Sequence, residues 1–393
     1  MYDAIVVGGG LIGNYVAYKL AGMGHKVVVL ERHEQLGGQI CCTGIVSQEC
    51  LKAFAVNKDI ILRQVNSARL FSPSGKEIRL WREENQAGIV SRSAFDCAIA
   101  NQARNKSTEY WLGCLVTDVE YIEDGITVKA TCRKGKINLQ ARTVVIATGF
   151  NPQFTERLHL GKIDDFAVST QAEVGVCGVD EIEVYFGQEI APGFFGWLVP
   201  TSDRRALVGL LTQRNPEFYL KRLLLNLLSQ SKIVSADVEP VYGGIPLKPL
   251  PRTYGDRLLV VGDAAGQVKP TTGGGIYFGL LSAEIAADTL HRGLINDALS
   301  ARNLASYERG WRRKLEKELE IDYYARKFYQ RLGDQQIDKI FDVIKSHGIE
   351  ESLSKAEDLS FDWHGRAVLR LMGYRAVSRV LEVMKMAFRP ENS

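Results

Sequence analysis

The first thirty residues combine apolar runs with one glycine-rich break. Residues 3–7 (DAIVV) predict a short buried strand, residues 11–23 have the apolar spacing of a helix, and residues 26–30 (KVVVL) predict a second strand. A strand, a glycine turn, a helix and a strand in this order form a βαβ unit. The chain therefore begins with part of a parallel sheet.

Two kinds of strand are predicted further along the chain. Residues 118–129 alternate around an Asp-Gly pair, which indicates two paired strands, and residues 143–147 (TVVIA) indicate another buried strand of the parallel sheet. Short runs separated by Pro, Gly and Asp then predict an antiparallel sheet with strands at 181–186, 196–199 and 205–211.

Helical patterns dominate the last third of the chain. A last short strand is predicted at 258–261, and everything after the glycines that follow it has helical spacing. Residues 299–332 carry many Glu, Lys and Arg at i,i+4 spacing, which is typical of a solvent-facing helix. The chain thus ends in a helical region.

Composition excludes several classes of protein. The 393 residues are 46% apolar and 24% charged with a net charge of +3, so nothing indicates nucleic-acid binding. Seven cysteines, an odd number without a C-x-x-C pair, argue against a disulfide framework and a metal site, and they favour a reducing compartment. No signal peptide and no apolar stretch of spanning length is evident. We expect a cytoplasmic protein whose membrane contact, if any, is peripheral.

The first glycine cluster predicts a dinucleotide site. Residues 8–13 read GGGLIG, which places Gly8, Gly10 and Gly13 in a G-x-G-x-x-G motif between a strand and a helix. Glycine allows the tight turn and leaves room for a pyrophosphate to approach the backbone at the helix N-terminus. Glu31, at the end of the next strand, would accept hydrogen bonds from ribose hydroxyls. This motif alone does not distinguish FAD from NAD.

A second glycine cluster identifies the cofactor as FAD. Residues 262–280 read GDAAGQVKPTTGGGIYFGL and follow a strand. Asp263 would accept from ribityl hydroxyls, and residues 271–275 would bring backbone N–H groups and a helix N-terminus to the N1/O2 edge of the ring, which becomes anionic on reduction. An enzyme with one NAD-binding unit needs no such second cluster, whereas the longer FAD needs donors at both ends.

Together these patterns predict an α/β fold in which a Rossmann-like FAD-binding domain is interleaved with an antiparallel-sheet substrate domain and followed by a helical C-terminal tail. The predicted FAD-binding domain is discontinuous. The predicted ranges are 1–60, 86–150 and 252–295 for that domain, 61–85 and 151–251 for the substrate domain, and 296–393 for the helical region.

The motifs resemble those of the geranylgeranyl reductase family, FAD proteins that saturate isoprenoid double bonds and share the p-hydroxybenzoate hydroxylase-type fold. The resemblance rests on the second cluster, on SRSAFD at 91–96, which is similar to the family's R-x-x-F-D helix start, and on GGQICCTG at 37–44, which is similar to a loop with a cysteine beside the flavin. It implies FAD contacts by Gly8, Gly10, Gly13, Glu31, Arg32, Cys42, Arg92, Val116, Thr148, Gly149, Gly262, Asp263, Thr272, Gly273, Gly274, Gly275 and Ile276.

The segment FFGWLVP at 194–200 resembles the family's Y-x-W-x-F-P segment, which lines the prenyl cavity. The resemblance implies substrate contacts by Phe195, Trp197 and Pro200, with Phe195 in the place of the usual Tyr and Val199 in the place of the usual Phe. A core strand with an aromatic pair is the alternative interpretation.

The implied reaction adds a hydride and a proton to an isolated C=C bond. Cys42, Tyr277 and Tyr242 are the candidate proton donors, and the substrate would be a prenyl lipid, a quinone or a prenyl diphosphate. A second G-x-G-x-x-G motif is missing, so the electrons would come from a ferredoxin or a transiently bound NAD(P)H.

Two other classes of function remain open. A flavin monooxygenase or halogenase is disfavoured by Ala-Thr-Gly at 147–149, where many relatives have Ala-Asp-Gly, and by the missing W-x-W-x-x-P text. A redox carrier without an enzymatic reaction is the other alternative.

The C-terminal segment is basic and amphipathic. Between His364 and Pro390 the chain has one acid, Glu382, against six basic residues: Arg366, Arg370, Arg375, Arg379, Lys385 and Arg389. Such a segment is expected either to lie on an anionic membrane surface or to pack on the protein with a solvated basic face.

Overall fold

The structure is a computed structural model that describes residues 1–38, 40–355 and 362–363. Two compact units are formed by segments that alternate along the chain. The first unit comprises Met1–Cys42, Val90–Ala167 and Gly243–Glu320, and the second comprises Thr43–Ile89, Val168–Tyr242 and the described residues from Ile321 onward. The predicted basic segment at 364–390 lies outside the described residues.

The predicted strands are confirmed, although one of them begins at Gly135 rather than at Thr143. The strands are β1 (Tyr2–Val7), β2 (Val27–Leu30), β3 (Ile45–Ser47), β4 (Ile61–Val65), β5 (Ser67–Phe71), β6 (Glu77–Trp81), β7 (Ala87–Val90), β8 (Glu109–Trp111), β9 (Cys114–Ile122), β10 (Gly125–Cys132), β11 (Gly135–Ile146), β12 (Phe166–Gly175), β13 (Ile182–Phe186), β14 (Phe195–Pro200), β15 (Arg205–Thr212), β16 (Val241–Pro246), β17 (Tyr254–Gly255) and β18 (Leu258–Val260).

The helices include the one predicted after the first glycine cluster and those predicted after the second. They are α1 (Leu11–Gly22), α2 (Gln48–Ala53), α3 (Arg92–Arg104), α4 (Pro152–Arg157), α5 (Pro216–Ser229), α6 (Ile276–Ile295), α7 (Ala301–Tyr329), α8 (Asp334–Ser346) and α9 (Ile349–Ser354). Within the described residues, no helix is both long enough and apolar enough to cross a membrane.

The first unit contains the parallel sheet that the βαβ pattern predicted. Its strand order is β17-β18-β11-β1-β2-β8, and β1 pairs in parallel with both β2 and β11. Helices α1, α3 and α6 pack together, while residues of β9 and β10 join the apolar core with those of the sheet. The carboxyl ends of β1, β11 and β18 all lead into glycine-rich segments, which is where α/β sheets bind ligands.

Helix α7 is not simply a solvent-facing helix. Leu304, Tyr307, Trp311 and Leu315 are each at most 1% exposed and follow one another at intervals of three or four residues. They form one buried stripe on a helix whose other faces carry the charges seen in the sequence. The charges at i,i+4 spacing correctly indicated an exposed face. The leucine and aromatic residues have an equally regular spacing, which indicates a buried face that the prediction left out.

The second unit contains a sheet in which six strands follow the order β12-β15-β14-β13-β5-β6. Most neighbours are antiparallel, as predicted, but β13 and β5 are parallel. Strand β5 comes from the early segment of the chain and no hairpin joins it to β13, so the connection does not require these two strands to be antiparallel. A smaller sheet has the order β3-β7-β4.

A histidine pair in the first unit makes its stability sensitive to acid. His25 Nε2 lies 2.9 Å from His291 Nδ1. Burial lowers the pKa of His25 from 6.5, Asp3 acts in the opposite direction, and His291 lowers this pKa further. The unfolded chain therefore binds a proton at residue 25 more readily than the folded chain. The contribution of His25 to stability is fully present above pH 6.5 and is lost as the pH falls through the lowered pKa.

We expect His25→Gln to lose less thermal stability than the wild type between pH 7.5 and pH 5.0, because the group that protonates on unfolding has been removed. The melting temperature of each protein, measured by circular dichroism across this range, tests the prediction. His347→Gln, at an exposed position in the second unit, is the control and should follow the wild type. Parallel curves for all three proteins would contradict the prediction.

Candidate cofactor-binding site

The turn after β1 uses its glycines in two different ways. Gly8 has φ +110°, and a Cβ on it would lie 2.3 Å from the carbonyl oxygen of Ala147. A Cβ on Gly13 would lie 2.0 Å from the carbonyl oxygen of Gly8, whereas a Cβ on Gly10 would meet no atom within 4 Å. Gly8 and Gly13 thus serve the packing of the turn, and Gly10 leaves open space at the N-terminus of α1.

Glu31 holds this turn in place. Its Oε2 accepts a hydrogen bond from Gly9 N at 2.7 Å, and its Oε1 accepts from His33 N at 2.9 Å. The carboxylate is buried, and its Oε1 also lies 2.7 Å from Nδ1 of His33, so Oε2 is the oxygen with a second lone pair with which it could accept a hydroxyl. Arg32 follows Glu31 directly in the chain. Contact of both residues with the cofactor stays a prediction.

A disulfide joins β9 to β10 beside Glu31. Cys114 and Cys132 are directly paired across the two strands with Cα atoms 4.1 Å apart, and Cys114 N donates to Glu31 O at 2.8 Å. The cysteine count argued against a disulfide framework and did not predict this single disulfide. The number of cysteines and their spacing in the sequence do not show which residues face each other across two paired strands. Val116, also on β9, has its side chain in the apolar core.

The ion pair between Arg92 and Asp96 lies next to the first residue of α1. Arg92 Nη2 is 3.1 Å from Asp96 Oδ1, and the Asp96 carboxylate also accepts from Leu11 N. Burial raises the pKa of Asp96, and Arg92 acts against this. Burial lowers the pKa of Arg92, but Asp96 and Cys42 outweigh burial and raise the pKa of the guanidinium. Asp96 was part of the quoted R-x-x-F-D motif, but its contact with α1 was not predicted.

Asn14 connects the same elements through its side-chain amide. Its Nδ2 donates to Gly9 O at 2.8 Å and to Asp96 O at 3.2 Å, while its Oδ1 accepts from Tyr110 at 3.1 Å. Asn14 is fully buried, so these bonds fix the glycine turn on α3 and β8. A lone Asn on a predicted helix gave no signal of this role.

The two adjacent cysteines have different surroundings. The Arg92 guanidinium hydrogen-bonds the Cys42 side chain, whereas the Cβ of Cys41 would lie 3.3 Å from a Cβ on Gly243. Both cysteines are half-buried. Cys42 thus contacts the buried guanidinium of Arg92. Its catalytic role stays a prediction.

Hydrogen bonds that involve Tyr307 of α7 hold the start of the second glycine cluster in place. Gly262 N donates to Gln267 Oε1 at 2.8 Å, Gln267 Nε2 donates to Tyr307 at 2.8 Å, and the Tyr307 hydroxyl donates to Val260 O at 2.7 Å. Gln267 and Tyr307 are both fully buried. Sequence analysis missed both residues, and Tyr307 lies some distance downstream in a segment that no motif covers.

Asp263 and the glycines before α6 lie close together. A Cβ on Gly275 would be 2.8 Å from Asp263 Oδ1, and Gly273 has φ +71°. Burial raises the pKa of the Asp263 carboxyl, and Arg92 acts against this. The carboxylate and the N-terminus of α6, which starts at Ile276 after Thr272–Gly275, therefore face the same small region.

Lys269 is a cation that sequence analysis missed in this cluster. The residue is 3% exposed, and its Cε would be 2.8 Å from a Cβ on Gly274. Its Nζ lies 5.8 Å from the centre of the Phe278 ring. A buried lysine inside a glycine-rich segment adds positive charge near the N-terminus of α6.

The remaining predicted residues are Thr148, Gly149, Tyr277 and Tyr242. Gly149 has φ +69° and open space at its Cβ position, and Thr148 donates to Gly149 O at 3.3 Å. Tyr277 is 6% exposed on the first turn of α6. Tyr242, which belongs to β16 and to the second unit, is 49% exposed.

The predicted cavity residues of β14 do not share one face. Phe195 and Trp197 lie on the same side of the strand, with ring centroids 6.2 Å apart, but Pro200 has the opposite register. Trp197 packs across Gly209, where a Cβ would be 2.6 Å from the indole. The structure thus brings together two of the three predicted wall residues. Whether they touch a substrate stays a prediction.

The residues of the first unit fit FAD. Open space at Gly10 and a buried Arg92 Nε that has no hydrogen-bond partner among the described residues suit a pyrophosphate. Glu31 and Asp263 offer acceptors for hydroxyls at two separate places. Within the described part of the chain, no group of His, Cys, Asp and Glu is arranged to bind a metal ion.

Fold and site together define an FAD-dependent oxidoreductase with a Rossmann-like domain. The chain belongs to the family described as Lycopene cyclase protein, which matches residues 3–343.

Several relatives confirm the predicted resemblance to geranylgeranyl reductases. Digeranylgeranylglycerophospholipid reductase 2 of Methanothermobacter thermautotrophicus is 29% identical, over 90% of this chain and 94% of its own. The digeranylgeranylglycerophospholipid reductase of Methanocaldococcus jannaschii is 28% identical, over 88% and 90%.

Solved structures confirm the predicted fold. A geranylgeranyl bacteriochlorophyll reductase-like protein of Thermoplasma acidophilum has a TM-score of 0.84 at 23% identity, with 98% of each chain covered. A flavin-dependent brominase has a TM-score of 0.70 at 14% identity, with 98% of each chain covered. At these identities the likeness extends to the fold alone.

Proposed function

We propose that the protein saturates C=C bonds in a prenyl chain carried on a lipid, in the cytoplasm or at the inner membrane face. The observation that carries this proposal is the buried Arg92, which lies 3.1 Å from Asp96 and contacts Cys42 next to the first glycine turn, in a chain that matches reductases of prenyl phospholipids over nearly its whole length. The names of those relatives support a lipid substrate, and a quinone or a diphosphate is less well supported.

The reaction requires a hydride and a proton. FAD, when bound and reduced, supplies the hydride to one alkene carbon, and a ferredoxin or a nicotinamide supplies the electrons that reduce it again. The protein must give a proton to the other carbon and exclude water while it does so. An electron-rich alkene resists hydride attack unless both transfers occur together, so the position of the acid is decisive.

Cys42 is the best placed of the three candidate acids. The guanidinium of Arg92 hydrogen-bonds its side chain and so holds the sulfur in one place. Solvent then returns the proton to the half-buried side chain. Tyr277 remains a second candidate on α6, whereas the high exposure of Tyr242 suits a proton donor in a dry site less well.

Cys42→Ala is therefore expected to reduce the turnover number at least about 100-fold with little effect on FAD content, because general acid catalysis contributes on the order of 100- to 10,000-fold. Cys41→Ala is the matched control and should keep most of the activity. Single-turnover reoxidation of the reduced enzyme by substrate measures the step directly. Equal rates for both variants would contradict a role for Cys42 as the acid.

The proposed function is tested by anaerobic turnover. Purified protein is reduced with dithionite and mixed with a digeranylgeranyl phospholipid dispersed in detergent, and the products are analysed by mass. A gain of about two mass units per saturated bond, with reoxidation of the flavin, is expected from the addition of two hydrogens. Reduced flavin that persists with every prenyl lipid, but hydroxylates or halogenates an aromatic compound once oxygen is admitted, would contradict the proposal.

A further inference from the structure

Lys269 closes the loop that leads into α6. Its backbone N–H donates to Gly274 O at 3.2 Å, and its carbonyl oxygen accepts from Gly273 N at 2.9 Å. Residues 270–272 form the tip of this loop, and Gly273 has φ +71°, which glycine adopts without strain. The chain therefore returns to Lys269 just before α6 begins.

The Lys269 side chain lies in the protein interior, directly beside this loop. The residue is 3% exposed. A Cβ on Gly274 would lie 2.8 Å from Lys269 Cε and 3.5 Å from its Nζ, so the glycine leaves room for the ammonium. Gly274 is two positions before Ile276, the first residue of α6. Burial of a lysine is uncommon because its charge loses solvating water, so a cation held here calls for a functional explanation.

The N-terminus of α6 adds positive charge at the same place. The first turn of α6 has no acidic residue, and its N-cap, Gly275, has no side chain that could accept from the N–H groups there. Asp263 lies on the other side of these glycines, with Oδ1 2.8 Å from a Cβ on Gly275. Burial raises the pKa of Asp263, and Arg92 is the cation that acts against this. Lys269 and the helix end thus form a second positive region, distinct from Arg92.

We propose that the positive charge of Lys269 stabilises the reduced form of FAD. Reduction adds two electrons and one proton to the isoalloxazine ring, so the ring gains one negative charge, which its N1/O2 edge carries. The second glycine cluster places that edge at residues 271–275, inside the loop that Lys269 closes. Charges interact strongly in a buried site because little water screens them. The reduction potential of bound FAD is therefore higher with Lys269 than with a neutral residue at this position.

This inference rests on the proposed binding of FAD at the second glycine cluster. It concerns the half of the proposed function in which a ferredoxin or a nicotinamide delivers electrons, and a higher potential makes that delivery more favourable. The alternative role of Lys269 is to close the loop without an effect on the flavin. Both backbone hydrogen bonds of Lys269 stay possible for any residue with a backbone N–H, so substitution of the side chain tests the charge separately from the loop.

The test measures the reduction potential of FAD bound to the complete protein. Wild type, Lys269→Met and Lys269→Arg are titrated anaerobically with dithionite beside a dye of known potential, and absorbance gives the ratio of reduced to oxidised FAD. At a fixed potential we expect this ratio to be at least about tenfold lower in Lys269→Met, which corresponds to about 30 mV for a two-electron couple, and close to the wild type in Lys269→Arg. Lys136→Met, which removes an exposed cation from β11 of the same unit, is the matched control and should leave the ratio unchanged.

The affinity for oxidised FAD distinguishes an effect on the reduced ring from damage to the site. In Lys269→Met it should change by less than about threefold, because the oxidised ring carries no charge. An unchanged potential in Lys269→Met, or an equal fall in Lys269→Arg, would overturn the proposal. Lys269→Gln gives the same comparison if the Met variant does not hold FAD, and loss of oxidised FAD from both neutral variants would overturn it as well. No prenyl lipid is present in these titrations, so a missing reductase activity would count against the proposed function and not against Lys269.

Discussion

Gly10→Val is expected to abolish FAD binding while the protein stays folded. A side chain at residue 10 meets no protein atom within 4 Å, and the backbone there has φ −77°, which every residue adopts. The valine would instead fill the space through which a pyrophosphate approaches the N-terminus of α1. We expect the dissociation constant for FAD to rise at least about 100-fold, measured by flavin fluorescence during titration of the apoprotein.

Two glycine variants give this prediction its controls. Gly22→Ala also adds a Cβ with no atom within 4 Å, but at the far end of α1, and should bind FAD normally. Gly13→Ala would place its Cβ 2.0 Å from Gly8 O and should lower the free energy of unfolding by about 3 kcal/mol or more. Normal FAD binding by Gly10→Val would show that the first cluster does not hold the cofactor.

Arg92→Met is expected to have the second large effect, on stability and on FAD affinity together. The variant leaves the Asp96 carboxylate, whose residue is 3% exposed, without its cation. Removing one partner of a buried ion pair costs about 3–5 kcal/mol, and the pKa of Asp96 should rise further as a result. Urea unfolding monitored by circular dichroism measures the loss, and titration with FAD measures the affinity.

The double variant Arg92→Met/Asp96→Asn separates the two effects. The amide that replaces the carboxylate at position 96 is neutral and can still accept from Leu11 N, so stability should return to within about 1 kcal/mol of the wild type. FAD affinity should stay at least about tenfold reduced, because a charged donor contributes on the order of 1.5–3 kcal/mol to such a contact. Recovery of both properties would mean that Arg92 acts only as the partner of Asp96.

Local patterns made most of the first unit predictable. The turn at residues 8–13 needs glycine for reasons that are visible within the motif, since Gly8 has a positive φ and Gly13 contacts Gly8. The predicted strands likewise follow from short apolar runs. Where the required geometry lies within a few residues of the motif, sequence alone was sufficient to predict it.

Long-range pairing accounts for what was missed. Tyr307 reaches Gln267 from α7, Asn14 reaches Asp96 from another segment, and Cys114 faces Cys132 only because of the register of β9 and β10. The sequence around a single Tyr, Asn or Cys does not indicate which distant residue it will contact. The position of Pro200 was missed for a related reason: a motif gives the residues of a strand, but the pleat decides which side each one takes.

The distance along the chain between the two glycine clusters has a consequence for biosynthesis. Val144–Ile146 of β11 pair with β18, and β18 is followed by the turn that Tyr307 holds. At 5–20 residues per second, a ribosome reaches residue 260, the end of β18, roughly 6 to 23 s after residue 146, the end of β11. Until then that part of β11 is an unpaired apolar edge. We therefore expect flavin to be incorporated only when the chain is nearly complete, and nascent chains to depend on chaperones during that interval.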